Sequence, residues 1–229
     1  WMADYDDMLT QVKQKLRLGF RCIKLKIGAI EWDEELRLIQ TIRSRFSKDT
    51  LELRVDANGA WTPEDAEQKI KQLAQYGIHS IEQPIAPYQW KEMAHLCRLQ
   101  DEAREQGEKH LPIALDEELI GVNTLEEKRL LLDTIRPQYI VIKPTLHGGM
   151  TGSIEWVSEA NKRGIGSWMT SALESNIGLR NVALLAARVY GPHITFPQGL
   201  GTGLLYTDNI EMDLELRGSK MWRAQVEEV

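Results

Sequence analysis

The chain has 229 residues, of which 42% are hydrophobic and 27% charged, enough for one large α/β domain with a substantial core. Its net charge of −6 is spread without a long run of one sign, which argues against nucleic acid or an anionic membrane as its partner. No apolar stretch reaches the roughly 20 residues a membrane span needs, and the opening residues Trp1 to Asp7 have neither the basic start nor the apolar run of a signal peptide.

The two cysteines, Cys22 and Cys97, sit in no metal-ligand or redox spacing and read as thiols of a reducing compartment. A cytoplasmic location is therefore expected.

In chain order, a helix is expected over about 4–18, then strands at 22–27, 51–56, 78–82, 112–116, 138–143, 165–170 and 193–196, with an amphipathic helix in each gap. Thr62-Pro63-Glu64-Asp65 supplies a capping threonine, a proline at the first helical position and acids in the first turn. Thr124-Leu125-Glu126-Glu127 fits a capping box, and Asp33 precedes a helix with Leu36, Ile39 and Ile42 along one side. Gly77 and Gly164 are placed to close helices.

The strand starts are spaced by 26 to 34 residues. Such βα units predict a parallel sheet with right-handed crossovers. The absence of a glycine-rich dinucleotide turn favours a (β/α)₈ barrel over an open doubly wound sheet. Seven strands are visible, so the chain is expected to begin just after a first strand, with Trp1-Met2 as its stub.

Side chains alternate faces along a strand. In Cys22-Ile23-Lys24-Leu25-Lys26-Ile27 one face is apolar and the other carries two lysines; in Leu51-Glu52-Leu53-Arg54-Val55-Asp56 the second face carries Glu52, Arg54 and Asp56. The aliphatic faces must meet the helices, so the charged faces point into the barrel, where ions persist only when paired or bound to a metal. A lone Lys-x-Lys also occurs on a solvent-facing strand, but the βαβ rhythm leaves few such positions. Three further strands end at Glu82, Asp116 and Lys143. Acids after strands often cap the next helix; five successive strand ends reading base, acid, acid, acid, base are not explained by capping. The active site of a barrel lies at this edge.

Asp56, Glu82 and Asp116 form an all-oxygen set suited to Mg²⁺, with Mn²⁺ as the other candidate, and unsuited to zinc. A small-molecule carboxylate bound there would lose its α-proton more readily. Lys26 is placed to act as base, Lys24 to support it and to hold the substrate carboxylate, and Lys143 to approach from the opposite face. Two lysines across a metal permit racemisation, elimination or stabilisation of the intermediate.

Lys24-Leu25-Lys26, Asp56-Ala57-Asn58, Glu82-Gln83-Pro84, Asp116-Glu117 and Lys143-Pro144 resemble, in order and spacing, the muconate-lactonizing-like branch of the enolase superfamily. The resemblance implies a (β/α)₇β TIM-like barrel, here the catalytic barrel domain over 1–229 without its first strand and without the N-terminal α+β capping domain. Within the branch, Lys143-Pro144-Thr145-Leu146-His147-Gly148-Gly149, Ser171-Ala172-Leu173-Glu174-Ser175-Asn176 and Phe196-Pro197-Gln198-Gly199-Leu200-Gly201-Thr202-Gly203 are similar to segments of the o-succinylbenzoate synthase family. That implies dehydration of 2-succinyl-6-hydroxy-2,4-cyclohexadiene-1-carboxylate in menaquinone biosynthesis. Lys26 would remove the α-proton and return it to the departing hydroxide, with Lys143 holding the enediolate through a cation–π contact. Substrate contacts carried over are Lys24, Asn58, Thr170, Ser171 and Gly199. N-acylamino-acid racemases remain alternatives; dipeptide epimerases are disfavoured, since no acid occupies Pro197 to Gly201 where they carry an Asp-x-Asp. A non-catalytic ligand-binding barrel is the distant alternative, and the chain is expected to be a monomer or homo-oligomer.

Overall fold

The computed structural model describes residues 5–201 and 206–223. Helix α1 (Tyr5–Arg17) precedes six βα repeats: β1 (Cys22–Lys26), α2 (Trp32–Arg45), β2 (Glu52–Asp56), α3 (Pro63–Leu73), β3 (Ser80–Glu82), α4 (Trp90–Glu105), β4 (Ile113–Leu115), α5 (Leu125–Ile135), β5 (Tyr139–Ile142), α6 (Gly149–Asn161), β6 (Gly166–Met169) and α7 (Asn176–Tyr190). All six strands pair in parallel with their sequence neighbours, giving a curled half-barrel in the order β1-β2-β3-β4-β5-β6.

The local signals explain these elements. The Thr62 side chain accepts from the Asp65 amide, with Pro63 at the first helical position. Thr124 and Glu127 close a reciprocal capping box. Gly77 and Gly164 adopt positive φ, of 60° and 69°, where helical runs end. Asp33 does not precede its helix as expected: α2 begins at Trp32, and Asp33 lies in its first turn beside Glu34 and Glu35, where acids suit the helix dipole.

The two strand faces separate as alternation requires. Ile23, Leu25, Leu53, Val55, Ile81, Ile113, Leu115, Ile140, Ile142 and Met169 join the helices in one core. On the concave side Ala114, Val141 and Trp168 make a second, small cluster against Tyr139. The Arg54 guanidinium lies 4.0 Å from the Trp168 ring centroid, so the charge on β2 is spread over an aromatic face within the interior. A cavity of about 320 Å³ bounded by Glu52, Arg54, His79, Tyr139, Trp168 and Phe196 lies at the foot of this interior, away from the strand ends that carry the acids.

The seventh strand expected at 193–196 does not form. Pro192 and Pro197 flank the segment and remove two ladder donors. The chain meets the sheet at one position instead, a bridge between Thr170 and Gly199. Gly199 donates to the Met169 carbonyl at 2.8 Å, and its own carbonyl accepts from the Ser171 amide at 3.1 Å. A Cβ at 199 would stand 2.3 Å from Thr170 Oγ1, so the approach requires glycine. A further hairpin, β7 (Leu214–Arg217) with β8 (Lys220–Arg223), is antiparallel and separate from the main sheet. Trp1-Met2, Thr202 and Gly203 lie outside the described residues.

Candidate active site

Lys26, Asp56 and Glu82 occupy one rung of the sheet: Lys26 is the register partner of Asp56, and Asp56 that of Glu82. Asp116 directly follows β4 and Lys143 directly follows β5, so five neighbouring strands deliver base, acid, acid, acid and base to one edge. Asp116 precedes a short 3₁₀ turn (Glu117–Leu119), yet its side chain makes no capping bond, which removes the bland explanation for an acid there.

The acids are buried and the lysines reach them. Asp56 and Asp116 are 0% and Glu82 1% exposed. Lys24 Nζ donates to Glu82 at 2.8 and 2.9 Å and to Asp56 Oδ2 at 3.0 Å. Lys26 Nζ donates to the same Asp56 oxygen at 2.5 Å and to Asn58 Oδ1 at 2.7 Å. Asn58 in turn donates to Glu117 Oε1 at 2.7 Å, and its amide binds Asp56 Oδ1 at 2.9 Å. Lys143 Nζ pairs with Asp116 Oδ2.

Burial pushes the Glu82 carboxyl up to about 8; Lys24 opposes this, while the Asp56 and Asp116 charges add to it. Burial would also raise Asp56, but the Lys24 and Lys26 ammonium groups hold it below the usual carboxylate range. Burial acts to lower Lys24, yet Glu82 and Asp56 outweigh it and keep the amine cationic. The same contest, won by Asp116, raises Lys143.

Thr170 and Ser171 follow β6 beside these residues, the Thr170 amide donating to the Ile142 carbonyl at 2.9 Å. Thr170 Oγ1 donates to the Gly199 carbonyl at 3.0 Å. Glu174 ties the two adjacent loops, accepting from Thr145 Oγ1 and Ser171 Oγ, each at 2.5 Å.

A family model described as enolase C-terminal domain-like matches residues 7–210. The chain belongs to this enolase-superfamily family. Among its members, the o-succinylbenzoate synthase of Desulfotalea psychrophila is 50% identical over 95% of this chain and 56% of that protein. The N-succinylamino acid racemase of Thermus thermophilus is 31% identical over 94% of this chain and 53% of that protein. The crystal structure of MenC from Desulfotalea psychrophila superimposes with a TM-score of 0.83 at 47% identity, covering 97% of this chain and 58% of that one. The chain thus spans about half the length of the curated relatives it matches.

For this enolase-superfamily chain, the fit to a divalent cation rests on the donors. Among the described residues no three His, Cys, Asp or Glu side chains are drawn together as a ready metal cage; the acids face ammonium groups instead. The donor set nonetheless fits a hard ion, being three carboxylates with no thiolate among them. Asp116 Oδ1 is buried without a hydrogen-bond partner among the described residues.

Several residues that frame the site were not singled out from sequence. Glu35 accepts from the Gly28, Ala29 and Ile30 amides at 2.6, 3.2 and 3.4 Å, fixing the loop after Lys26. Gln83 Oε1 accepts from the Asp116 and Glu118 amides at 3.3 and 3.2 Å. An acid three residues into a helix and a glutamine after a strand carry no sequence signal for such roles. No helix among the described residues is long and apolar enough to cross a membrane.

Proposed function

We propose that this chain carries the catalytic face of an Mg²⁺-dependent o-succinylbenzoate synthase. The substrate is a cytoplasmic small-molecule carboxylate, 2-succinyl-6-hydroxy-2,4-cyclohexadiene-1-carboxylate, which loses water to give 2-succinylbenzoate for menaquinone biosynthesis. The observation that supports this most is the row of buried acids flanked by Lys24 and Lys26 on one side and Lys143 on the other, in a chain half identical to a synthase of that name.

Asp56, Glu82 and Asp116 would hold Mg²⁺ or Mn²⁺, which when bound neutralises the substrate carboxylate and acidifies the adjacent C–H. Lys24 donates to that carboxylate as a fixed cation. Lys26, held by Asn58, takes the α-proton from C1. The electron pair left behind forms the new ring double bond as the C6–OH bond breaks, and the Lys26 ammonium returns its proton to the departing hydroxide, so one water leaves. Lys143 stays cationic and faces the ring from the other side, stabilising the developing negative charge. Thr170, Ser171 and Gly199 border the space for the succinyl arm.

Titrating the chain with Mg²⁺ and the cyclohexadiene acid tests this reading. Ultraviolet absorbance of the diene should fall, and EDTA should stop it; no change in absorbance would remove the proposal. Lys26→Ala should abolish turnover while retaining Mg²⁺ binding.

A racemase on the same residues is the second reading, favoured by the 31% identity to the Thermus racemase and by a lysine on either flank of the acids. Exchange of the α-proton of an N-succinylamino acid with solvent deuterium would reveal it.

A further inference from the structure

His147 lies in the turn after β5. The Leu146 and His147 amides both donate to the Lys143 carbonyl, at 2.9 and 3.0 Å, and the Gly149 amide donates to the Pro144 carbonyl at 2.8 Å. This tight winding folds the imidazole back under the strand end, where it is 1% exposed. Helix α6 presses on the turn: a Cβ at Gly152 would stand 2.4 Å from the His147 carbonyl oxygen.

The Lys143 amide donates to His147 Nδ1 at 3.0 Å. That bond decides the tautomer, because a neutral ring accepting at Nδ1 carries its proton on Nε2. Nε2–H is therefore a donor and cannot be a metal ligand. It has no hydrogen-bond partner among the described residues, and it lies 3.9 Å from Asp116 Oδ1, which is also buried and unpartnered. The other Asp116 oxygen is engaged by Lys143. A buried donor and a buried acceptor that face each other and are both unsatisfied lose solvation without recompense until they close.

We propose that His147 is a positioning residue whose Nε2–H donates to Asp116 Oδ1, fixing the rotation of that carboxylate and leaving Oδ2 turned toward the site. Its bearing on metal binding rests on the reading of Asp116 as a ligand; the hydrogen bond itself does not. An imidazole that orients a ligating carboxylate in this way acts through the ligand and not on the substrate.

Nitrogen-15 spectra of the metal-free chain at pH 7 read the ring directly, with His147→Gln giving the assignment. The expected result is a bare Nδ1 and a protonated Nε2 whose slowly exchanging, downfield proton moves upfield in Asp116→Asn. A proton on Nδ1, or an Nε2–H indifferent to Asp116→Asn, overturns the inference whether or not metal binds. Calorimetric titration with Mg²⁺ adds the second arm. His147→Leu should weaken binding roughly 10–100-fold, while His147→Gln, whose amide nitrogen can donate from the same place, stays within about threefold of the unaltered chain. Equal Mg²⁺ binding by His147→Leu and the unaltered chain overturns the inference alone. An unaltered chain that shows the expected ring but binds no Mg²⁺ removes the metal reading and leaves the hydrogen bond standing. If His147→Leu does not fold, the ring spectra and His147→Gln decide.

Discussion

Lys24 grips Glu82 through both carboxylate oxygens, at 2.8 and 2.9 Å. Glu82 is buried beside two further acids and still holds its proton up to about 8, because loss of solvation and the Asp56 and Asp116 charges together exceed the pull of one ammonium.

This sets the pH dependence of metal binding. Between the ordinary carboxyl value of 4.5 and about 8 the folded chain holds a proton on Glu82 that the unfolded chain has lost. From this group, stability of the metal-free chain therefore falls as pH rises through that window. Mg²⁺ needs the ionised carboxylate, so binding at pH 7 should expel a proton, and affinity should rise by about tenfold per pH unit toward the Glu82 value. Calorimetry in two buffers of different ionisation enthalpy counts the proton. An affinity flat from pH 6 to 8 would take Glu82 out of the ligand set.

Glu35 is expected to matter for both stability and turnover. Its carboxylate is the shared acceptor for the Gly28, Ala29 and Ile30 amides. Glu35→Ala leaves three donors in a loop two residues from Lys26 without that acceptor, at a cost of about 2–3 kcal/mol. In a chain of this size that lowers the melting temperature by roughly 4–12 °C. Glu35→Gln keeps one acceptor oxygen and should lose less than half as much. Thermal unfolding followed by circular dichroism is the check, and an unshifted Glu35→Ala midpoint would contradict the loop-holding role.

Gly199→Ala should break the contact that stands where a seventh strand was expected. Its new Cβ would meet Thr170 Oγ1 at 2.3 Å and Thr170 Cα at 3.3 Å, and the latter is backbone that cannot rotate away. A cost of about 1–3 kcal/mol is expected from such overpacking, read as a lower midpoint in urea. Displacement of Thr170 and Ser171 should raise KM more than it lowers kcat; a kcat loss with unchanged KM would separate these residues from substrate binding.

Much of this architecture was legible because period-two alternation is dictated by burial. Leu53 and Val55 had to face helices, so Arg54 and Asp56 had to face inward. The segment at 193–196 misled because Ile194 and Phe196 imitate a strand between prolines, whereas the sheet contact depends on the missing Cβ of Gly199. The β7–β8 hairpin was missed although Leu214 and Leu216 alternate with Glu215 and Arg217 before Gly218-Ser219, where Gly218 takes φ 61°, and Lys220 and Arg223 bracket Met221-Trp222 after it. The five charged strand ends could be named from sequence because each sits at a fixed place in a βα repeat. Their pairing could not: that Lys24 would bridge two acids, and that Lys26 would share Asp56 with it, depends on side-chain reach across strands. His147 was quoted only as part of a motif, since nothing local shows that a four-residue turn returns its ring to the Lys143 amide.

The common rung of Lys26, Asp56 and Glu82 has a consequence for how such a chain can change length. One residue inserted within Glu52–Asp56 would swing Asp56 into the helix layer and bring Val55 to the mouth, removing from the site an acid proposed to hold Mg²⁺. The exposed connections at 47–50 and 107–109 lie at the other end of the strands, where an insertion meets only solvent and each doubling of loop length costs about 0.6 kcal/mol. Insertions and deletions are thus tolerated in the turns and forbidden in the strands, and a library that varies loop length should keep activity where one that varies strand length loses it outright.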